Sequence, residues 1–355
     1  MTEVYKLKIA LTSSCTLRCN HCNIDKDSGL DIDFNKAKAG VDLLFSSPGY
    51  FKRLELYGGE PFLRFSLLKK IASYARRKSI ENDKKFSLSI ATNATLLNKN
   101  IISWIKENKV NISISFSGTE ESHNYNRRYA NGKGSYEVVY RNIKNLLKEV
   151  SPDYLVCLYC VDGGFAKNMR KDFKEIIDIG FRIINIECVS GRGWCVKDYK
   201  EFEKGLSFIF ENIIKSIENG NFIYLESFTE MLRDKRTWTF NCPMYRDLEM
   251  YPDGNYGFYP YAFIKYSSVY KKISVGNWKN GINFRYSNCF PGCNSCNSCC
   301  SDYYILQGLS DGSYAYQIRT HMIKQFFLEL LRRKKEEKIK NYLLKLQKII
   351  NITYI

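Results

Sequence analysis

The chain has 355 residues, 45% hydrophobic and 26% charged, which is enough apolar material for a sizeable core and too little bias for a disordered or low-complexity protein. No apolar run reaches the ~18 residues of a membrane-spanning helix, and the net charge of +17 permits acidic partners without naming one. Thirteen cysteines against three histidines is the unusual figure; a chain this long needs no disulfide staples, and the clustering of cysteines toward its two ends points to metal.

The first apolar stretch, Ile9-Ala10-Leu11, is far too short for a signal peptide, so the chain is expected to be mature from Met1 and cytoplasmic, with reduced thiols. Strand-like and helix-like segments then alternate. Strands are predicted at 6–11, 53–57, 86–91, 111–116, 154–161 and 182–189, and several are apolar or small at alternate positions. Helices are predicted at 35–45, 66–78, 98–106, 135–149, 166–179 and 198–218. Six βα repeats predict a parallel sheet covered by helices, and they fall short of the eight strands and ~250 residues of a closed barrel. The expected fold is therefore α/β, a partial (βα)6 barrel.

Beyond Trp238 the texture changes. Glycine, tyrosine, proline and asparagine become dense, helical periodicity stops, and five cysteines fall within Cys289–Cys300. After Tyr316 a helical pattern returns over 317–348, with Ile323, Phe326, Phe327, Leu330 and Leu331 on one face and ten basic against three acidic residues from Arg319 to Lys348. Three segments follow: a barrel at 1–235, a small cysteine-rich domain at 236–316, and a basic amphipathic helix at 317–355. The tail helix reads as a docking or capping element with a solvated charged face, or as a contact for an acidic peptide.

Four short motifs carry the chemistry. Cys15-Thr-Leu-Arg-Cys19-Asn-His-Cys22 sits in the loop after the first strand. Three thiolates in eight residues can satisfy three irons of a cubane and leave the fourth open. Zinc would want a fourth ligand close by, and His21, adjacent to Cys22, would need an awkward turn to supply it. Gly58-Gly59-Glu60-Pro61 follows the second strand, where a glycine pair is also an ordinary turn. Thr92-Asn93-Ala94 follows the third. After the fourth come Ser115-Phe-Ser-Gly118, His123, Arg127 and Gly132-Lys-Gly134-Ser-Tyr136. Arg127 beside Arg128 also reads as a solvated charge, and His123 as a capping or core residue.

In these motifs the sequence resembles the radical S-adenosylmethionine (SAM) superfamily, and within it the SPASM/twitch branch of peptide maturases and sulfatase-maturing enzymes. The resemblance spans about residues 6–220. It implies that Cys15, Cys19 and Cys22 hold a 4Fe–4S cluster, and that Gly58, Gly59, Glu60, Pro61, Asn93, Ser115 and Arg127 bind SAM, Arg127 by pairing with its carboxylate. Two positions depart from the branch: Ala94 stands where relatives carry glycine, and Ser117 where they usually carry aspartate. It further implies reductive cleavage of SAM to a 5′-deoxyadenosyl radical, hydrogen abstraction from a peptide or protein side chain, and an external one-electron reductant such as flavodoxin or ferredoxin.

The second cysteine cluster, Cys289, Cys293, Cys296, Cys299 and Cys300 with Cys242 upstream, supplies six candidate ligands. The stretch Cys242-Pro…Tyr251-Pro-Asp-Gly254…Tyr259-Pro-Tyr261 resembles the start of a SPASM or twitch domain, with Tyr261 in place of a cysteine. One auxiliary 4Fe–4S cluster is expected, on Cys242, Cys293, Cys296 and either Cys299 or Cys289; a zinc ribbon is the alternative, since the paired C-x2-C spacings also suit zinc. Cys157 and Cys160, three apart on one strand, should face opposite sides as ordinary buried thiols. Cys188, Cys195, Glu187 and Asp253 lie toward the barrel mouth, the thiols as packing residues, hydrogen-atom donors or thioether formers. Competing functions are oxidation of a small molecule such as a sugar alcohol, RNA modification on the basic surface, and a non-catalytic iron–sulfur protein. No recognised RNA-binding module is present, so no stable nucleic-acid partner is expected.

Overall fold

The computed structural model describes residues 4–22, 24, 26, 28–189, 193–228, 247–257, 274–282 and 310–353. Strands β1 (Lys6–Ala10), β2 (Phe51–Tyr57), β3 (Lys85–Thr92), β4 (Asn111–Ser115), β5 (Leu155–Val161) and β6 (Ile183–Cys188) fall where the alternation places them. So do the helices α1 (Phe34–Ser46), α2 (Phe65–Glu81) and α3 (Lys99–Glu107). Each of α1 and α3 starts at a side-chain cap: Asp33 accepts from the Lys36 N–H, and Asn98 from the Ile101 N–H. A short helix that the periodicity missed, α4 (Glu120–Asn126), precedes α5 (Tyr136–Glu149). Then come α6 (Met169–Ile179) and α7 (Val196–Glu218).

Each of these strands pairs in parallel with the next, and β7 (Tyr224–Leu225) extends the row. On the other side β8 (Asp247–Met250) pairs in parallel with β1, Lys6 opposite Asp247 and Lys8 opposite Glu249. The antiparallel pieces β9 (Asn255–Gly257), β10 (Gly276–Asn277) and β11 (Gly281–Ile282) complete the order β11-β10-β9-β8-β1-β2-β3-β4-β5-β6-β7. Among the described residues the two ends of this order do not pair, so the barrel is partial. The segment beyond 236 thus contributes four strands, β8 to β11, to the same sheet.

Leu7, Ile9, Leu54, Leu56, Leu88, Ile90, Ile112, Ile114, Ile184 and Ile186 on alternate positions of the strands are buried in one core with the helices. The register puts the intervening positions, Lys8, Glu55, Ser89, Asn111, Ser113 and Ser115 among them, on the opposite, concave face. The C-terminal segment forms two helices, α8 (Ser310–Arg332) and α9 (Glu337–Thr353), rather than the single helix expected. The break falls at 333–336, which offers no apolar side chain to hold a turn against the core. Ala315, Ile318, Ile323, Phe327 and Leu330 are buried, and Phe326 stacks on Phe210 of α7, so this tail is part of the fold. No helix among the described residues is long and apolar enough to cross a membrane.

Candidate active site

The cysteine loop leaves the C-terminal end of β1 and is tied down on two sides. Toward β2, Gly59 N–H donates to Thr12 O at 2.7 Å and Glu60 N–H to Ser14 O at 2.9 Å. A Cβ on Gly59 would lie 2.1 Å from Ser14 O, and one on Gly58, at φ +146°, 2.5 Å from Thr12 O. The glycine pair is thus required by close approach of two backbones, not only by a turn. Toward the region after α4, Arg18 N–H donates to Arg128 O (2.7 Å) and Asn20 N–H to Asn126 O (2.9 Å). This short ladder brings Arg127 against the cysteines.

Glu60 is fully buried and joins two strand ends. Its Oε1 accepts from Thr92 Oγ1 (2.8 Å) and Phe62 N (3.2 Å), its Oε2 from Asn93 N (2.8 Å). Three of its roughly four acceptor positions are therefore used inside the protein. Burial pushes the carboxyl up to about 7 against these three donors. Pro61 opens a short 3-10 turn, Pro61–Arg64, capped by the same carboxylate. Asn93 in turn donates from Nδ2 to Cys15 Sγ (3.4 Å) and Thr16 Oγ1 (3.0 Å), so a continuous chain of bonds runs from Glu60 to the first cysteine. Ala94 holds φ +62° with its methyl buried, a left-handed conformation that suits the glycine of relatives better.

Arg127 is 4% exposed, which removes its reading as a solvated charge. Its Nε donates to Ser117 Oγ at 3.3 Å, and its guanidinium interacts with the thiols of Cys19 and Cys160. Nη2 is buried without a hydrogen-bond partner, and no carboxylate among the described residues pairs with the group. His123 is buried beneath it, with Nδ1 on Ser117 N (3.4 Å) and Nε2 on Ser135 Oγ (3.0 Å), while Ser135 Oγ donates to Arg127 O. Burial, then the neighbouring Arg127, hold this imidazole well below its usual range, so it is a neutral positioning residue. Ser115 ends β4 on the concave face.

Cys15, Cys19 and Cys22 are free and half-buried. Burial pushes the Cys15 thiol up to about 11, with Glu60 and the other two thiols adding to the lift. Burial also raises Cys19, and the Arg127 charge opposes it. Among the described residues no three His, Cys, Asp or Glu side chains gather closely enough for a metal ion. A cubane instead takes each thiolate on a different iron. Thiols that resist losing a proton alone, beside a buried cation lacking a counter-ion, fit an anionic thiolate cluster in which metal replaces the protons.

Cys157 points into the helix-covered core, its Sγ on Phe116 O at 3.4 Å, and Cys160 points to the concave face. Sequence reasoning took Cys160 for an ordinary buried thiol; the structure sets it against Arg127. Cys195 is exposed at the start of α7, with its N–H on Asp198. Asp253 closes the β8–β9 turn by accepting from Asn255 N and Nδ2. Cys242, Cys289, Cys293, Cys296, Cys299 and Cys300, and with them the auxiliary-cluster or zinc-ribbon expectation, lie outside the described residues. Lys8, Glu55 and Glu249, which meet on the concave face, were missed. Their only sequence signal is the polar half of each strand's alternation.

Residues 9–178 match the model of the Radical SAM superfamily, so this part of the chain is a radical SAM domain. An uncharacterized protein of Methanocaldococcus jannaschii is 35% identical over 129 residues, covering 36% of this chain and 44% of that protein. A cysteine-type anaerobic sulfatase-maturating enzyme of Clostridium novyi is 26% identical over 236 residues, 62% of each chain. The chain thus spans about half to two thirds of the curated relatives it matches. Among solved structures, anSMEcpe with bound AdoMet superposes with a TM-score of 0.68 at 18% identity, covering 92% of this chain and 99% of that one. Streptococcus suis SuiB bound to precursor peptide SuiA gives 0.54 at 11%, covering 72% and 59%. These likenesses establish the fold.

Proposed function

We propose that this chain is a radical SAM enzyme that modifies a peptide or protein side chain. Cys15, Cys19 and Cys22 would hold a 4Fe–4S cluster with one open iron, and Gly58, Gly59, Glu60, Pro61, Asn93, Ser115 and Arg127 would surround SAM. When bound and reduced, such a cluster would supply the one electron that breaks a C–S bond of SAM, releasing methionine and allowing hydrogen abstraction from the substrate by the adenosyl fragment. The chain's own work is placement. Arg127 offers a desolvated, unpaired guanidinium nitrogen to the SAM carboxylate. Asn93 steers the Cys15 sulfur, and Glu60 fixes Asn93 while keeping its remaining acceptor position for the SAM ammonium. The single observation carrying this reading is the buried Arg127 beside Cys19, with no carboxylate counter-ion among the described residues.

The peptide substrate is supported by the sulfatase-maturating relatives and by the SuiB fold neighbour, whose partner is a precursor peptide. Segment 236–316 would carry one auxiliary 4Fe–4S cluster on Cys242, Cys293, Cys296 and Cys299 or Cys289, ahead of the basic tail at 317–355. A flavodoxin- or ferredoxin-type reductant in the cytoplasm would supply the electron. Anaerobic reconstitution, reduction and addition of SAM should release 5′-deoxyadenosine from the wild type and not from the Cys15/Cys19/Cys22→Ala protein. Release from neither, with iron and SAM bound, overturns the proposal. Arg127→Ala should weaken SAM binding by about 1.5–3 kcal/mol, the worth of a charged hydrogen bond.

A further inference from the structure

The concave face carries a group that the proposed chemistry leaves unused. Glu249 is 2% exposed, and neither carboxylate oxygen has a hydrogen-bond partner. Polar groups buried in this way are rare in native proteins, because water is given up with nothing in return. Its nearest charged neighbour in the register is Lys8, directly opposite on β1. Lys8 is already paired, its ammonium 3.5 Å from Glu55 Oε1 across the β1–β2 ladder. Burial would raise Glu55, yet Lys8, followed by Lys6 and Arg53, hold it down at about 2, so the Lys8–Glu55 pair is ionised and balanced. Glu249 is left over beside it.

We propose that Glu249 is a substrate-anchoring subsite that takes an uncharged hydrogen-bond donor, a hydroxyl, thiol or amide N–H, of the residue to be modified. The face is the right one: Glu249, Lys8 and Glu55 share it with Ser115, which stands at the cysteine end of β4. The donor must be neutral, since a cation brought to Glu249 would also meet the Lys8 ammonium. Burial, reinforced by the Glu55 charge and opposed by Lys8, favours the protonated carboxyl, which can donate as well as accept. The inference rests on the reading of this chain as a radical SAM enzyme with a peptide substrate.

The test pairs two variants of the cluster-reconstituted protein. Glu249→Met removes an unsatisfied group and should raise the apparent Tm by about 2–4 °C, as sites reserved for a ligand do when they are blunted. Glu55→Met orphans the Lys8 ammonium and should lower it. A Glu249→Met protein less stable than wild type would overturn the proposal by showing that the carboxyl is a structural partner. In binding measurements with the Cp18Cys peptide, found bound in a related anSMEcpe structure, Glu249→Met should lose about tenfold in affinity and Glu249→Gln less. Equal affinity in wild type and the Met variant also overturns it. A wild type that does not bind this peptide counts against the peptide reading, and the stability comparison then decides on Glu249 alone.

Discussion

The two faces of the one sheet obey opposite rules. Leu54, Ile90, Ile112 and Ile114 are fully buried against the helices, and Asp172, which receives the Tyr159 hydroxyl, is a rare acid on that side. Across the backbone, Lys8, Glu55, Ser89 and Ser113 alternate with them on the concave side. A parallel sheet of this kind ordinarily buries apolar side chains on both faces. Here that second face is polar from β1 to β4, at Lys8, Glu55, Ser89 and Ser113, while β5 brings Val156 and Leu158 to it, so its polar part has been kept for something other than cohesion. In β1 to β4 stability belongs to one side of the strand and the polar groups to the other, one residue apart.

Substitutions that set the faces against each other sharpen this contrast. The largest effect is expected where the concave side meets the cysteine loop: Gly59→Ala puts a methyl into Ser14 O and should displace the loop. Reconstituted protein should then lose most of the iron of the cluster proposed on Cys15, Cys19 and Cys22, with circular dichroism of the sheet and helices retained. On the apolar face Ile114→Ala should cost about 2–5 kcal/mol in urea unfolding. Its neighbour Ser113→Ala should stay within about 0.5 kcal/mol, and equal costs at the two positions would break the distinction.

The acid on the helix side gives a pH test. Burial pushes Asp172 up to about 6 despite donors from Thr119 N, Thr119 Oγ1 and Tyr159. Because the folded value lies above the unfolded one, the stability it contributes is complete below about pH 4 and is lost as pH rises through 6. The change is on the order of 3 kcal/mol. Asp172→Asn should flatten the stability profile between pH 4 and 7 and match or exceed wild type at pH 8. The smallest change is Ala94→Gly: relief of the left-handed backbone offsets a lost buried methyl and a freer unfolded chain, so unfolding should move by less than about 1 kcal/mol.

Much of this fold was legible in the sequence because its elements are long and periodic. The strands predicted at 53–57 and 182–189 differ from those observed by two residues or fewer at each end. Helix α4 was not legible: Glu-Glu-Ser-His-Asn-Tyr-Asn has no apolar stripe and is held by His123 and Asn126 reaching into the site. The cysteine triad announced itself by spacing alone. Arg127 was singled out from Arg128 by the resemblance alone, and its competing reading as a solvated charge fell only when the ladder to Arg18 and Asn20 turned its side chain inward. The Lys8–Glu55–Glu249 group was beyond reach, since local spacing says nothing about which distant strand will lie alongside.

That distant pairing also sets a schedule for synthesis. Strand β1 needs β8 on one flank, and about 240 residues separate Lys6 from its partner Asp247. At translation rates of roughly 5–20 residues per second the nascent sheet would wait about 12–50 s with one edge of its first strand uncovered. The strand left waiting leads straight into the cysteine loop. Closure of that edge is therefore a late event, and it depends on the final third of the chain.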